Sequence, residues 1–206
     1  MEKPPGLDLA QTRQIVDLVE ETGSRVMVSV NRRFDLALKQ ALCWKGDRPL
    51  EYLRATMVRN RRLEPTFITG TAIHAVDAMR YIAGDVQDYT VDVRVVAGAP
   101  WYVAGFDFAS GARGTLEVLT TGGRKSEQYE LFGPDYSVVA RVADFDIGAV
   151  KAWDRGDLVV DGIVAPGQGE FVRNGAYDET VEFIAAIRED RPPRPAPADV
   201  LQSVEI

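Results

Sequence analysis

The apolar positions change period along the chain, and each change marks an element. Ile15, Leu18 and Val19 recur at helical spacing between Asp8, a good N-cap, and Gly23, a good left-handed stop, which predicts a first helix. Residues 25–30 (Arg-Val-Met-Val-Ser-Val) are short and β-branched, which predicts a strand feeding the polar cluster Asn31-Arg32-Arg33-Phe34. Leu38, Ala41 and Leu42 predict a second helix over 35–45 closed by Gly46. A strand of mixed polarity follows over 51–59, then a basic loop, Arg59-Asn60-Arg61-Arg62. A third helix, over 71–83, carries Ile73, Val76, Ala78, Met79 and Ile82 and stops at Gly84.

From Val86 to Asp161 the pattern turns to sheet, with strands expected over 89–96, 101–108, 113–119, 127–132, 136–142 and 158–160. Ala109-Ser110-Gly111-Ala112 and Gly133-Pro134-Asp135 are the clearest turn signals, and the even spacing implies an antiparallel meander. Trp101, Tyr102, Phe106 and Phe108 alternate along one strand, as in a sheet with one face against helices and the other against a partner. A helix over 177–188, a stiff strap Arg191-Pro192-Pro193-Arg194-Pro195 and a helical stub ending uncapped at Ile206 complete the chain, which therefore reads as cut short. The expected fold is one α+β domain, 1–206, with a large open, mainly antiparallel sheet and helices on one face.

Composition narrows the function. A chain of 206 residues, 46% of them hydrophobic, can enclose a core of its own. Lys+Arg 24 against Asp+Glu 31 leaves a net charge of −7, which argues against nucleic acid or an anionic membrane as main partner. A small anionic substrate stays open through a local basic pocket. Cys43 is the only cysteine, so neither an intrachain disulfide nor a cysteine-based metal site is expected, and a reducing cytoplasm is the natural compartment. The apolar runs are strand-sized, far below the roughly 20 residues of a membrane span.

Four separated stretches carry a family pattern: Glu2-Lys3-Pro4; Val28-Ser29-Val30-Asn31-Arg32-Arg33-Phe34; His74-Ala75-Val76-Asp77; and Arg191-Pro192-Pro193-Arg194-Pro195 with Asp199-Val200-Leu201. In order and spacing they resemble the C-terminal half of the glucose-fructose oxidoreductase / inositol dehydrogenase family, Gfo/Idh/MocA, across nearly the whole chain. The resemblance implies a substrate-binding and oligomerisation domain that follows a dinucleotide-binding Rossmann domain. The Gly-x-Gly-x-x-Gly turn of such a domain is absent, since Gly167-Gln168-Gly169 continues into Glu170, Phe171 and Val172. NAD or NADP is accordingly expected only if a Rossmann domain is supplied, and no cofactor is expected for this chain alone.

By the same resemblance Lys3, with Pro4, would contact nicotinamide, and Lys3 would help move the hydroxyl proton of the substrate. An ammonium suits that role when burial or neighbours lower its pKa. His74, the only histidine, matches the family's catalytic-helix histidine. Where the family often places Asp four residues earlier, this chain has Gly70. Asp77, three residues on, either orients His74, receives a substrate hydroxyl or is a solvated helix-surface acid. Asn31, Arg32 and Arg33 are substrate-binding candidates, because amide and guanidinium groups fit sugar hydroxyls and carboxylates. The loop of Arg59 to Arg62 either reads an acidic substrate group or is simply solvated.

Two functions follow. One is the substrate-binding and catalytic half of an NAD(P)-dependent oxidoreductase acting on a sugar, polyol or nucleotide-sugar CH–OH group, inactive alone. The other is a non-enzymatic, dimeric ligand-binding or scaffold module derived from that family. Either is expected to form a homodimer or tetramer through its sheet, with no nucleic acid or membrane partner.

Overall fold

The computed structural model describes residues 1–144 and 147–206. Helix α1 (Leu9–Thr22) starts where the Asp8 carboxylate accepts from the Gln11 amide at 2.8 Å and ends at Gly23 in the left-handed conformation. Residues 24–30 run extended but form no strand. The Val28 amide donates to the Pro195 carbonyl and the Ser29 amide to that of Met1, so the segment is held by the first residue and the strap before the last helix instead of a ladder. The expected strand over 25–30 is thus corrected: β-branched residues favour extension, but only a continuous partner makes a strand.

Asn31–Phe34 then form one turn of 3-10 helix leading into α2 (Leu36–Lys45). Gly175 permits this, since a Cβ there would lie 2.4 Å from the Phe34 carbonyl carbon. β1 (Tyr52–Val58) follows, and then a π-helical turn (Ile68–Ala72) that runs directly into α3 (Ile73–Ala83).

Among the described residues the sheet has eight strands: β1, β2 (Val86–Val96), β3 (Ala99–Phe108), β4 (Arg113–Leu119), β5 (Ser126–Gly133), β6 (Tyr136–Arg141), β7 (Ala149–Asp154) and β8 (Asp157–Ile163). Their order is β2-β3-β4-β1-β5-β6-β7-β8. The meander is therefore interrupted: β1 lies between β4 and β5, parallel to the first and antiparallel to the second. β7 had no counterpart among the expected strands. Its signal is the two-residue turn Arg155-Gly156, both with positive φ, which suits a tight hairpin to β8. Between β5 and β6, Pro134 and Asp135 supply the turn, with Asp135 at φ 61°.

The core lies between one sheet face and the helices. Leu53, Met57, Leu116, Tyr129, Leu131 and Val138 meet Leu38 and Met79. Gly114 lets α3 approach closely, because a Cβ there would lie 2.7 Å from the Leu53 carbonyl oxygen and 3.0 Å from Met79. A short helix α4 (Glu170–Arg173), then α5 (Ala176–Arg188) and α6 (Pro197–Glu205), complete the fold, and α6 packs on α1 and α3. Among the described residues no helix is long and apolar enough to cross a membrane.

The opposite sheet face is largely polar at its centre, where Arg54 pairs with Glu130 and the Tyr52 hydroxyl donates to Thr115. The uncovered apolar surface lies elsewhere. Tyr89, Val91 and Val93 of β2 pair with Phe106, Ala104 and Tyr102 on the helix-side face, yet stay 43%, 46% and 52% exposed, because α6 touches β2 only at Val86, through Gln202, and leaves a cleft beyond it.

Asp35 shows how tightly α2 is anchored. Its buried carboxylate accepts from the Ala37, Leu38 and Ala143 amides, and burial, outweighing those bonds, raises its pKa to about 6. A carboxyl whose folded pKa exceeds its unfolded value of 3.8 binds protons more readily when folded, so its contribution to stability falls as pH rises from about 4 to about 6 and is constant above. The unfolding free energy of wild type relative to Asp35→Asn should therefore decline by roughly 3 kcal/mol across that window in urea titrations. A flat difference would show that Asp35 is already ionised at pH 4.

Candidate active site

Lys3 is tied down. The Met1 amino group donates to the Met27 carbonyl at 2.6 Å, and the Lys3 ammonium donates to the Gly70 carbonyl in the π-helical turn. Gly70 precedes His74 by one turn of the same helix, so the N-terminal segment brings Lys3 to the side of α3 that carries His74. Burial lowers the Lys3 pKa, and Arg32 and Arg62 act in the same direction against Glu2 and Asp144. Pro4 borders an apolar cleft of about 380 Å³ between the first residues, α3, α6 and strands β2 to β4.

The His74 imidazole has its Nδ1 buried without a hydrogen-bond partner. Burial holds its pKa well below 6.5, and the charges of Arg32, Lys3 and Arg59 add to that against Glu127. An uncharged ring with an unpartnered nitrogen beside an ammonium of lowered pKa has the chemistry to hold a hydroxyl and exchange its proton.

Asp77 does not orient this ring. It is fully buried, and its oxygens accept from Arg33 Nε at 2.8 Å, Arg33 Nη2 at 2.7 Å and Ser203 Oγ at 3.1 Å. The solvated-acid reading of Asp77 is corrected likewise. Arg33 also donates to the Asp199 carbonyl and lies over the Tyr81 ring, so it fastens α3 to α6.

Arg32 is equally buried, with Nε and Nη2 on Glu127 at 2.7 and 3.1 Å and Nη1 on Asp144 and on Asn31 Oδ1. Asn31, half-buried, also donates from Nδ2 to the Asn174 carbonyl at 2.9 Å. Of the seven expected site residues, then, the structure joins Lys3 to the His74 helix and sets Pro4 at the apolar cleft, while Asn31, Arg32, Arg33 and Asp77 bond mainly to the protein itself.

Sequence reasoning missed Glu127, Tyr129 and the buried state of Arg59. Arg59 Nη2 lies 2.5 Å from Glu127 Oε2, and the Tyr129 hydroxyl donates to Oε1 at 2.8 Å. Burial alone would raise the Glu127 pKa, but the charges and hydrogen bonds of Arg32 and Arg59 overcome it and hold the carboxyl ionised. A signal existed in the alternation Glu127, Tyr129, Leu131, which puts an acid on the core face of β5. The expectation of a solvated loop at Arg59 fails because β1 ends beside β5, which delivers Arg59 to Glu127. Arg62, in contrast, is partly exposed, bonded to Thr71 and Glu64 and stacked over Phe67.

No family model matches the chain, and no curated protein matches it. Solved structures do. A dehydrogenase (MviM) from Clostridium difficile superposes with a TM-score of 0.87 at 14% identity, covering 99% of this chain and 67% of that one. UDP-N-acetylglucosamine 3-dehydrogenase GnnA from Acidithiobacillus ferrooxidans gives 0.81 at 17%, covering 99% and 66%. The fold is that of the Gfo/Idh/MocA C-terminal domain. An oxidoreductase from Agrobacterium radiobacter, in complex with NAD+, L-tartaric acid and magnesium, gives 0.79 at 14%, covering 98% and 66%. This chain thus spans about two thirds of the length of these Gfo/Idh/MocA-like structures.

The residues present do not fit a dinucleotide pyrophosphate. Such a group needs an open helix N-terminus behind a glycine-rich turn, whereas the N-termini of α1, α2, α5 and α6 are occupied by side-chain oxygens of Asp8, Asp35, Asn174 and Asp199, and α4, which follows Gly167 and Gly169, is four residues long and opens on the acid Glu170. Among the described residues no group of three His, Cys, Asp or Glu side chains could hold a metal ion.

If Asp77 is structural, Asp77→Ala strands a mostly buried guanidinium and should lower stability by about 3–5 kcal/mol. The double change Arg33→Met with Asp77→Leu should recover most of that in the same denaturant titration. Equal losses in the single and double variants would show that packing, not charge, is at stake.

Proposed function

We propose that this chain is the substrate-binding and catalytic domain of an NAD(P)-dependent oxidoreductase of the Gfo/Idh/MocA family, acting on a CH–OH group of a sugar, polyol or nucleotide-sugar. The observation that carries the reading is the placement of the Lys3 ammonium on the Gly70 carbonyl, one turn from His74, whose buried Nδ1 has no hydrogen-bond partner among the described residues. The fold shared with a UDP-sugar 3-dehydrogenase supports it. In this reading the chain does the acid–base work. Neutral Lys3 accepts the hydroxyl proton, and His74 holds the oxygen in place by a hydrogen bond. The hydride acceptor belongs to a dinucleotide-binding domain outside these residues.

A positioned acid–base group is worth roughly 10²–10⁴-fold. In a protein where this chain is joined to a Rossmann domain, Lys3→Ala and His74→Ala should each lower kcat by about that factor with the fold intact by circular dichroism. Unchanged turnover in Lys3→Ala would end the mechanism.

A second reading, a non-enzymatic module that assembles through its sheet, is favoured by the exposed row of Tyr89, Val91, Val93 and Val95 on β2. Contiguous apolar surface of this kind is a liability in a soluble monomer. Light scattering at high micromolar concentration should give the mass of two or four chains. A clean monomer counts against assembly, whereas assembly without turnover in the joined protein favours the module over the enzyme.

A further inference from the structure

The basic loop after β1 divides on folding. Arg59 is enclosed on Glu127, Arg61 stands exposed at φ 56°, and Arg62 turns back to the π-helical turn. The Arg62 amide donates to the Thr120 carbonyl at 3.1 Å, Nε donates to Glu64 Oε1 and Nη2 to Thr71 Oγ1 at 3.2 Å, and the guanidinium lies 4.8 Å over the Phe67 ring. Its plane is thus seated on one face and along its Nε edge, while among the described residues nothing accepts from Nη1. The side chain is 39% exposed, so a solute can reach it.

Thr71 follows Gly70, whose carbonyl accepts from the Lys3 ammonium, so Arg62 and Lys3 rest on neighbouring residues of one turn, with Cα atoms about 3.8 Å apart. We propose that Arg62 makes the Lys3–His74 site selective for a sugar acid: the unpartnered Nη hydrogens bind the carboxylate while a hydroxyl of the same molecule lies at Lys3. This rests on the reading of Lys3 and His74 as the acid–base pair. A planar guanidinium matches a carboxylate, and one already seated on Phe67 and Thr71 loses little freedom on binding. The competing pair with Glu64 is exposed on both sides and contributes little. Glu64 beside Arg62, with Glu2 and Asp144 acting on Lys3, repels a second negative charge, so the group bound is a carboxylate and not the dianion of a phosphate monoester.

The test is calorimetric binding to the 206-residue chain, with D-glucuronate and D-galacturonate as acid probes, D-glucose and D-galactose as their neutral counterparts and D-glucose 6-phosphate as the dianion. An acid should bind about 10- to 100-fold more tightly than its neutral counterpart. Arg62→Gln should abolish that preference, whereas Arg61→Gln, which removes an exposed charge one residue earlier, should keep it. Glu64→Gln removes the competing carboxylate and should tighten acid binding by up to about fivefold. His74 is the only histidine, so its ring signals in nuclear magnetic resonance are assigned by default, and they should move on saturation with the acid.

The proposal is overturned if neither acid binds, if acid and neutral sugars bind equally, or if the phosphate binds more tightly than the acids. It is overturned equally by a preference that survives in Arg62→Gln or is lost in Arg61→Gln, and by His74 signals that stay in place at saturation. Should Arg62→Gln not fold, Glu64→Gln decides: tighter acid binding upholds the proposal and unchanged binding overturns it. Turnover enters none of these measurements, so failure here is distinct from failure of the acid–base reading, which Lys3→Ala in the joined protein decides.

Discussion

The ionised carboxylate of Glu127, enclosed under α3, is the constraint to which the rest of the site is fitted. A carboxylate out of water costs several kcal/mol unless opposite charges and hydrogen bonds surround it. Here the 3-10 turn, the end of β1 and β5 itself must all arrive in register to supply them. Such a group tolerates no partial assembly, so the position of the 3-10 turn against α3 is defined by charge as well as by packing.

That requirement explains the departure from a simple meander. Insertion of β1 between β4 and β5 sets Met57 opposite Glu127 and Val58 opposite Ser126, which leaves the next residue, Arg59, at the Glu127 carboxylate. The loop that follows then turns back over the sheet, where the Arg62 amide donates to the Thr120 carbonyl, and leads to the π-helical turn. The π-helical turn presents the Gly70 carbonyl to Lys3, and α3 continues from it to His74. A single topological step thus delivers Arg59 to the buried carboxylate and leads the chain on to the turn and helix that carry Gly70 and His74.

A second ion pair, Arg33 with Asp77, works differently. It joins the 3-10 turn, α3 and α6 through Ser203 and the Asp199 carbonyl. Adjacent arginines therefore serve two directions: Arg32 faces the sheet and Arg33 faces α6. A helical turn separates neighbouring side chains by roughly 100–120°, which is why a pair that looks redundant in sequence divides in space.

The sequence alone determined most of the elements, because they rest on local physics. Asp8, Gly23, Asp35, Gly46 and Gly84 stop or start helices by hydrogen bonds and backbone freedom within a turn of themselves. The alternation of the strands likewise encodes which face is buried. The resemblance of the Glu2-Lys3-Pro4 and His74 stretches named Lys3 and His74 as candidates, and the structure ties Lys3 to the Gly70 carbonyl, one turn before His74. What only the tertiary structure decided was partnership at long range. Strand order places Arg59 on Glu127 across 68 residues, the Asp77 carboxylate is taken by Arg33 from 44 residues away, and the segment over 24–30 finds Met1 and Pro195 instead of a ladder. A residue's charge is written in its type, but whether that charge is solvated or enclosed depends on which distant group the fold sets opposite it.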